Sequence, residues 1–231
     1  MSLPGFSVAG MHKLTTLDFP GVVSAIVFTQ GCNFHCPYCH NPHLIPLAGK
    51  GPGLDVGEVL EFLRKRAGFL DGVVISGGEP CLHQSLPGLC RDIRALGYAV
   101  KLDSNGSRPE MLRSLLDEGL LDYVALDLKT GPEGYAALCR EDTCAASLGL
   151  SLELVRRSGV AHELRSTCVA PFVSSAALPA MAALAADSPW YLQKANIGEA
   201  MRGKGLEALS QESIEALARE AVKLGADARI R

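Results

Sequence analysis

The chain has 231 residues, of which 48% are hydrophobic and 20% are charged, and its net charge at pH 7 is −3. This composition is typical of a globular protein with one sizeable core, and the nearly balanced charge gives no general attraction to nucleic acid or acidic membranes. No apolar run reaches the roughly 18–20 residues of a membrane-spanning helix, and the N-terminus lacks the basic and apolar regions of a signal peptide. We therefore expect a cytoplasmic protein with no nucleic-acid or membrane partner.

Short apolar runs alternate with amphipathic stretches along the chain. In chain order, the patterns predict a strand at residues 22–28, a helix at 56–69, a strand at 72–76, a helix at 86–96, a strand at 98–103, a helix at 109–119 and a strand at 123–128. The second half continues with a helix at 146–158, a strand at 162–169, a helix at 176–186, a strand at 190–193 and a helix at 211–225. Asp55 and Ser210 are the predicted N-caps of the first and last helices. The alternation predicts an α/β fold, a single domain over residues 1–231, whose parallel sheet is open or curled into a partial barrel.

Polar residues follow the predicted strands at the points where the strands end. Residues 77–80 (GGEP) follow the second strand, and residues 103–106 (DSNG) follow the third. Asp127 and Lys129 end the fourth strand, and Arg165 lies within the fifth. Because ligands of parallel α/β folds bind at the C-terminal ends of the strands, we expect these residues to share one rim of the sheet.

The most specific motif is a cysteine triplet directly after the first predicted strand. Cys32, Cys36 and Cys39 have the spacing C-x3-C-x2-C. Thiolates bind soft metals, and three close cysteines can hold three corners of a four-iron cluster and leave one iron open for a ligand. The alternative is a structural zinc ion with His35 or His40 as the fourth ligand. The close spacing, in a chain large enough to fold without a metal clip, favours the iron–sulfur cluster.

The remaining cysteines are scattered: Cys81, Cys90, Cys139, Cys144 and Cys168. Because the chain is not a small secreted protein, we expect no disulfide framework and interpret most of these residues as buried small hydrophobic side chains. The alternative is that Cys139 and Cys144 bind a second cluster. Residues 198–205 are rich in glycine, and we interpret them as an exposed turn or a loop over the barrel mouth.

The cysteine triplet after the first strand and residues 76–80 (SGGEP) after the second together resemble the radical SAM superfamily. In that superfamily an aromatic residue also precedes the third cysteine, as Tyr38 does here. The resemblance implies a partial (β/α)6 barrel with a [4Fe-4S] cluster bound by the triplet at its mouth. It also implies that S-adenosylmethionine (SAM) binds the open iron and is cleaved to methionine and a 5′-deoxyadenosyl radical when the cluster is reduced.

The resemblance further implies roles for residues at the strand ends. Tyr38 would lie near the adenine of SAM, and Gly78 and Glu79 would hold its amino group. Glycines suit this task because backbone without a Cβ can approach a ligand closely. The expected SAM-binding residues are Tyr38, Gly77, Gly78, Glu79, Ser104, Asn105, Lys129 and Arg165, with the last two near the carboxylate and ribose. A monovalent-cation site would be formed by Asp103, Ser104, Asp127 and the carbonyl of Ala125. Without the resemblance, Asp127 and Lys129 are an ordinary strand-end ion pair and Tyr38 is a packing residue.

Residues 17–21 (LDFPG), 28–32 (FTQGC) and 36–42 (CPYCHNP) are similar to activating enzymes of glycyl radical enzymes, in particular those of anaerobic ribonucleoside-triphosphate reductase. This implies hydrogen abstraction from a glycine of that partner and a flavodoxin- or ferredoxin-type electron donor. The 37 residues between Cys39 and Gly77 contain no cysteine, so we expect no ferredoxin-like insert and a single cluster. Two alternatives stay open: a radical SAM enzyme acting on a small molecule of the deazapurine type, and a zinc-stapled binding module.

Overall fold

The structure is a computed structural model that describes residues 7–47, 53–139, 141–196 and 205–231. Its strands are β1 (Val8–Thr15), β2 (Ser24–Thr29), β3 (Gly72–Gly77), β4 (Ala99–Ser104), β5 (Tyr123–Asp127), β6 (Ala161–Ala170), β7 (Pro189–Lys194), β8 (Glu207–Ala208) and β9 (Asp227–Ile230). Its helices are α1 (Val56–Lys65), α2 (Leu86–Ala95), α3 (Pro109–Asp117), α4 (Cys144–Ser158), α5 (Leu178–Ala185) and α6 (Gln211–Lys223). The predicted turn at residues 198–205 lies, except for Gly205, outside the described residues.

All six predicted strands are present as β2 to β7, and they lie side by side in sequence order. Each pairs in parallel with the next. When parallel strands follow one another in sequence order, right-handed crossovers place the connecting helices on one face, and the sheet can curl around the other. The predicted α/β fold with a partial six-stranded barrel is confirmed.

Three strands at the margins of the sheet were not predicted. β1 pairs antiparallel with β2, and β8 pairs antiparallel with β6, so the expectation of a purely parallel sheet is wrong at these two places. β9 extends the parallel sheet beyond β7. These strands are partly exposed or only two residues long, so their sequences lack the buried apolar run that identified the central strands.

The predicted helices are present, with ends that differ by a few residues. Asp55 caps α1 by accepting a hydrogen bond from the backbone N of Gly57 at 2.7 Å, and Ser210 caps α6 by accepting from Ser213 at 3.1 Å. α1 ends at Lys65 and not at residue 69, because the chain turns through Gly68 at a φ of +82°. No helix in the described part of the chain is long and apolar enough to cross a membrane, and the cytoplasmic location stays a prediction.

The cysteines outside the triplet divide into two groups. Cys81, Cys90 and Cys168 are free and buried, as predicted. Cys139 and Cys144 instead form a disulfide, which corrects the expectation of free thiols or cluster ligands. Their Cα atoms lie 6.6 Å apart, within the range a disulfide spans.

The side chains of the central strands alternate between two environments. Those facing the helices, such as Val73, Ile75, Val100 and Leu102, are fully buried in the main hydrophobic core. Successive residues of a strand point to opposite faces, so the residues between them lie on the inner face of the partial barrel. That face carries most of the charged residues of the central strands: Lys101, Asp103, Asp127, Glu163 and Arg165.

Candidate active site

A cavity of about 310 Å³ lies at the C-terminal ends of the central strands. The predicted site residues that line it are Cys32, Cys36, Tyr38, Cys39, Gly77, Gly78, Asp103, Ser104, Asn105, Asp127, Lys129 and Arg165. Glu79 and Ala125 are fully buried outside its lining. Asp18, Asn41 and Gln193 also line the cavity and were not predicted as site residues. Gln193 ends a predicted strand, so the rule that ligands bind at strand ends could have identified it. Asp18, in contrast, reaches the cavity only through the packing of β1.

The three triplet cysteines are free thiols that share this cavity. Burial raises the pKa of Cys32 to about 12 and also raises the pKa of Cys36, so the protein alone keeps both thiols protonated. A bound metal centre would supply the positive charge that thiolates require. No three His, Cys, Asp or Glu side chains of the described residues surround one metal-ion position. A four-iron cluster takes one thiolate per iron, so its cysteine sulfurs lie farther apart than those that bind one zinc ion.

Gly77 and Gly78 hold the end of β3 against the start of the cysteine loop. A Cβ on Gly78 would lie 2.0 Å from the carbonyl oxygen of Gly31, and one on Gly77 would lie 2.3 Å from the backbone N of Thr29. The backbone N of Gly78 donates to the carbonyl of Thr29 at 2.9 Å, and the N of Glu79 donates to the carbonyl of Gly31 at 2.8 Å. The protein's own backbone therefore requires glycine at both positions, and the expected approach of this backbone to SAM stays a prediction.

The Glu79 carboxylate lies in the protein interior and accepts hydrogen bonds from three residues. Its donors are Ser104 Oγ at 2.8 Å, the backbone N of Asn105 at 2.7 Å and the backbone N of Cys81 at 3.0 Å. Burial raises its pKa, and the three donors act in the opposite direction. Both oxygens are engaged, so this side chain joins the ends of β3 and β4. The expectation that Gly78 and Glu79 hold the SAM amino group stays a prediction, in which the Glu79 side chain would not take part directly because its oxygens are engaged within the protein.

A network of five charged side chains forms one wall of the cavity. Arg165 lies 3.0 Å from Asp127 and 3.2 Å from Asp103, Lys129 lies 3.0 Å from Asp127, and Lys101 lies 2.8 Å from Asp103. The carboxylates of the expected monovalent-cation site thus pair with the protein's own cations, and Ala125 does not line the cavity. The cation site stays a prediction. The interpretation of Asp127 and Lys129 as an ion pair is confirmed. Lys101 does not line the cavity, whereas Lys129 and Arg165 do, and their cationic groups suit an anionic group of a ligand.

The pairing keeps this network ionised. Burial acts in the opposite direction, but Lys129 and Arg165 lower the pKa of Asp127 to about 2, and Arg165 and Lys101 lower the pKa of Asp103. The carboxylates likewise raise the pKa of Lys129 and of Arg165 against the effect of burial. The charge of this wall is therefore constant over the physiological pH range.

Tyr38 presents an unsatisfied hydroxyl in the same cavity. Its side chain is 6% exposed, its ring lies 5.3 Å from that of Phe172, and its hydroxyl has no hydrogen-bond partner among the described residues. Buried polar atoms without a partner are uncommon, so a polar group of a ligand would complete this site. The free thiols, the cationic side chains of Lys129 and Arg165 and this hydroxyl together fit a cluster with bound SAM.

The sequence profile of the radical SAM superfamily matches residues 26–162, more than half of the chain. The chain belongs to the radical SAM superfamily. This radical SAM protein accordingly uses a [4Fe-4S] cluster and SAM as its cofactors. The alternative of a zinc-stapled, non-enzymatic binding module is wrong, because members of this superfamily are enzymes.

Curated relatives of this radical SAM protein include activating enzymes. A Methanocaldococcus jannaschii protein assigned as a glycyl-radical enzyme activating enzyme is 36% identical over 170 residues, 70% of this chain and 68% of that protein. The pyruvate formate-lyase-activating enzyme of Clostridium pasteurianum is 30% identical over 57% of this chain and 56% of its own length. The 7-carboxy-7-deazaguanine synthase of Aquifex aeolicus is 33% identical over 38% of each chain. This radical SAM protein is thus homologous to glycyl-radical enzyme activating enzymes, although it spans little more than half, or less, of the last two relatives.

Solved structures agree on the fold. A radical SAM methyltransferase from Sphaerobacter thermophilus matches with a TM-score of 0.73 and 17% identity, covering 94% of this chain and 68% of that one. SuiB of Streptococcus suis, bound to S-adenosylmethionine, matches with a TM-score of 0.66 and 12% identity over 87% of this chain and 48% of that one. At these identities the likeness concerns the fold alone.

Proposed function

We propose that this radical SAM protein is an activating enzyme that abstracts a hydrogen atom from one glycine of a partner glycyl radical enzyme. The observation that carries the proposal is the similarity to a glycyl-radical enzyme activating enzyme over 70% of the chain. The positions of the activase-like residues support it: Asp18, Phe28 and Asn41 line the cavity beside the cysteines. The segment that resembles activases therefore contributes to the same site as the cluster motif.

The partner we propose is anaerobic ribonucleoside-triphosphate reductase, with a flavodoxin- or ferredoxin-type protein as electron donor. The support is the resemblance of residues 17–21, 28–32 and 36–42 to activating enzymes of that reductase. We further propose one cluster per chain and one domain without a ferredoxin-like insert, because the described residues between Cys39 and Gly77 form α1 and its connections and contain no cysteine.

Cys32, Cys36 and Cys39 would bind three irons and leave the fourth open to SAM. When bound and reduced, the cluster supplies the electron that cleaves SAM into the hydrogen-abstracting species. Asn105 is placed to act on the cluster environment, since its Nδ2 donates to Asn33 Oδ1 at 3.0 Å and lies 4.0 Å from Cys32 Sγ. Hydrogen bonds to cluster sulfurs are one of the factors that set a cluster's reduction potential.

The charged wall would bind and orient SAM. Lys129 and Arg165 carry the positive charges that suit the SAM carboxylate, and Asp127 pairs with both cations. Arg165 presents a planar guanidinium, which is suited to paired oxygen ligands. Tyr38 packs on Phe172 next to this wall, so its ring helps to keep water away from the reacting atoms.

The test is activation of a candidate partner under anaerobic conditions. The cluster-loaded, reduced protein is mixed with SAM and anaerobic ribonucleoside-triphosphate reductase, and the glycyl radical is measured by electron paramagnetic resonance (EPR). We expect a glycyl signal that requires SAM and is absent with Cys39→Ser.

Cleavage of SAM without a glycyl signal in any candidate partner would refute the activase proposal. It would favour the second candidate, a radical SAM enzyme acting on a deazapurine-type small molecule, which the similarity to the Aquifex aeolicus synthase supports. Turnover of SAM in the presence of such molecules would then identify the substrate class.

A further inference from the structure

The loop that carries the cysteine triplet lies on a segment that the proposed chemistry does not use. We call residues 32–39 the cysteine loop, and residues 135–139 and 141–144 the supporting segment. Phe34 pairs with Cys139 in an antiparallel β-bridge, and the backbone N of His35 donates to the carbonyl of Leu138 at 2.9 Å. The rings of Phe34 and Tyr135 pack edge to face with centroids 6.1 Å apart. These contacts fall between the first two triplet cysteines, so the supporting segment fixes the backbone there.

Besides the hydrogen bond from the backbone N of Lys129 to Tyr135 Oη at 3.2 Å, two links of different chemistry restrain the supporting segment. Arg108, after β4, forms a bidentate ion pair with Glu141, with N–O distances of 2.6 and 2.7 Å. The disulfide joins Cys139, the bridge partner of the cysteine loop, to Cys144, the first residue of α4. The ion pair is insensitive to redox conditions. The disulfide is therefore the only one of these two links that an electron donor can open.

The position of the disulfide gives it a local effect. It closes a loop with a sequence separation of five, and such short loops gain little global stability from loop closure. The disulfide instead restrains the supporting segment, which contacts Phe34 and His35. Disulfides of reducing compartments are commonly catalytic or redox-sensing. Cys139 is 5% exposed and Cys144 is 1% exposed, so an incoming thiolate reaches the Cys139 sulfur more readily.

We propose that Cys139 and Cys144 form a reversible dithiol–disulfide site that sets how firmly the supporting segment holds the cysteine loop, with the disulfide as the firm state. In the reduction, one thiolate of a small dithiol attacks Cys139 Sγ, and Cys144 leaves as a thiolate and takes up a proton. The second thiol of the reductant then attacks the mixed disulfide and releases Cys139. Two electrons and two protons pass from the dithiol to the protein, and the dithiol becomes a cyclic disulfide.

The test compares the two redox states of the cluster-loaded protein, in which the triplet is protected by its cluster. Samples are equilibrated anaerobically with oxidised glutathione or with dithiothreitol, and peptide mass determines whether Cys139 and Cys144 are linked. Amide hydrogen exchange is then measured over residues 32–39. We expect exchange at His35 and its neighbours to be about tenfold faster in the reduced state, as for a locally opened segment. Loss of iron to a chelator should accelerate in parallel.

Paired variants separate this site from thiol chemistry elsewhere. The double variant Cys139→Ser/Cys144→Ser should behave like the reduced wild type under both conditions. Its matched control, Cys90→Ser/Cys168→Ser, replaces two buried free cysteines and should keep the redox response. If the first double variant does not fold, the two states of the wild type still carry the test.

Two results would overturn the proposal: no linked peptide at any ratio of reduced to oxidised glutathione, or equal exchange of the cysteine loop in the two states. Neither measurement involves a partner enzyme or a glycyl radical. The inference therefore stands or falls separately from the proposed activase function.

Discussion

Replacement of Glu79 by glutamine tests whether this buried carboxylate joins the ends of β3 and β4. Its Oε1 accepts from Cys81 and Ser104, and its Oε2 accepts from Asn105. Glutamine keeps one acceptor oxygen and turns the other into an NH2 donor, which must then face at least one N–H or O–H. An unsatisfied buried donor costs about 1–3 kcal/mol, and the loss of charge-assisted bonding adds about 1 kcal/mol. Burial raises the pKa of Glu79, so removal of the charge recovers part of this cost. We expect a net loss of about 2 kcal/mol.

The measurement is urea unfolding of the cluster-free protein at neutral pH, followed by circular dichroism, with the slope m compared between the proteins. Glu133→Gln is the matched control, because Glu133 is exposed and the substitution should change the unfolding free energy little. A loss below about 0.5 kcal/mol for Glu79→Gln would refute the reasoning, because such a value is typical of surface substitutions. It would mean that the strand ends are held by their backbone contacts alone.

Three further predictions concern the glycine pair, the charged wall and the cysteines. Gly78→Ala should lower the free energy of thermal unfolding by about 3 kcal/mol, because its Cβ would lie 2.0 Å from a carbonyl oxygen. The control Gly149→Ala, with open space around its Cβ inside α4, should raise it by about 0.5–1 kcal/mol. Similar effects of the two substitutions would contradict the packing argument. The pKa of Asp127 is lowered from 3.8 to about 2, so its ionised form stabilises the protein by about 2 kcal/mol above pH 4, and this is lost as the pH falls through 2. In urea unfolding at several acidic pH values, the unfolding free energy of Asp127→Asn should fall less with decreasing pH than that of the wild type. Parallel curves of unfolding free energy against pH for the two proteins would count against the pairing. Cys39→Ser should abolish the cluster absorbance and leave the far-ultraviolet circular dichroism unchanged, whereas global unfolding would indicate a structural metal.

The central fold was predictable because its signals are local. The strand at residues 72–76 is a β-branched run bounded by glycines, and a run of this kind is buried in any parallel sheet. β1 has no such run, since most of its side chains are only partly buried, and its antiparallel pairing depends on where the chain returns to β2. The rule that ligands bind at the C-terminal ends of parallel strands identified most of the residues that line the cavity. It depends only on strand direction, which the alternation of strands and helices determines.

Local sequence signals did not predict which side chains of the site pair with one another. Lys101 is 1% exposed and binds the carbonyl of Asp18 at 2.5 Å as well as Asp103, a contact between residues 83 apart in the sequence. The GGEP motif is the same whether the Glu79 carboxylate faces a ligand or the protein interior, so the motif does not predict its direction. Only the packing of β3 against β4 directs it to Ser104 and Asn105.

The amino-acid sequence by itself determined the six central strands, the rim that carries the polar residues and the superfamily, because each depends on residue types at short, regular spacings. The tertiary structure alone decided which charges neutralise one another, why Gly77 and Gly78 must lack a Cβ, and that Cys139 meets both Cys144 and the cysteine loop. These features depend on distances between segments that approach each other only after the sheet has formed. A spacing pattern records which side chains are available, whereas the free energy of pairing them depends on burial and geometry that exist only in the folded chain.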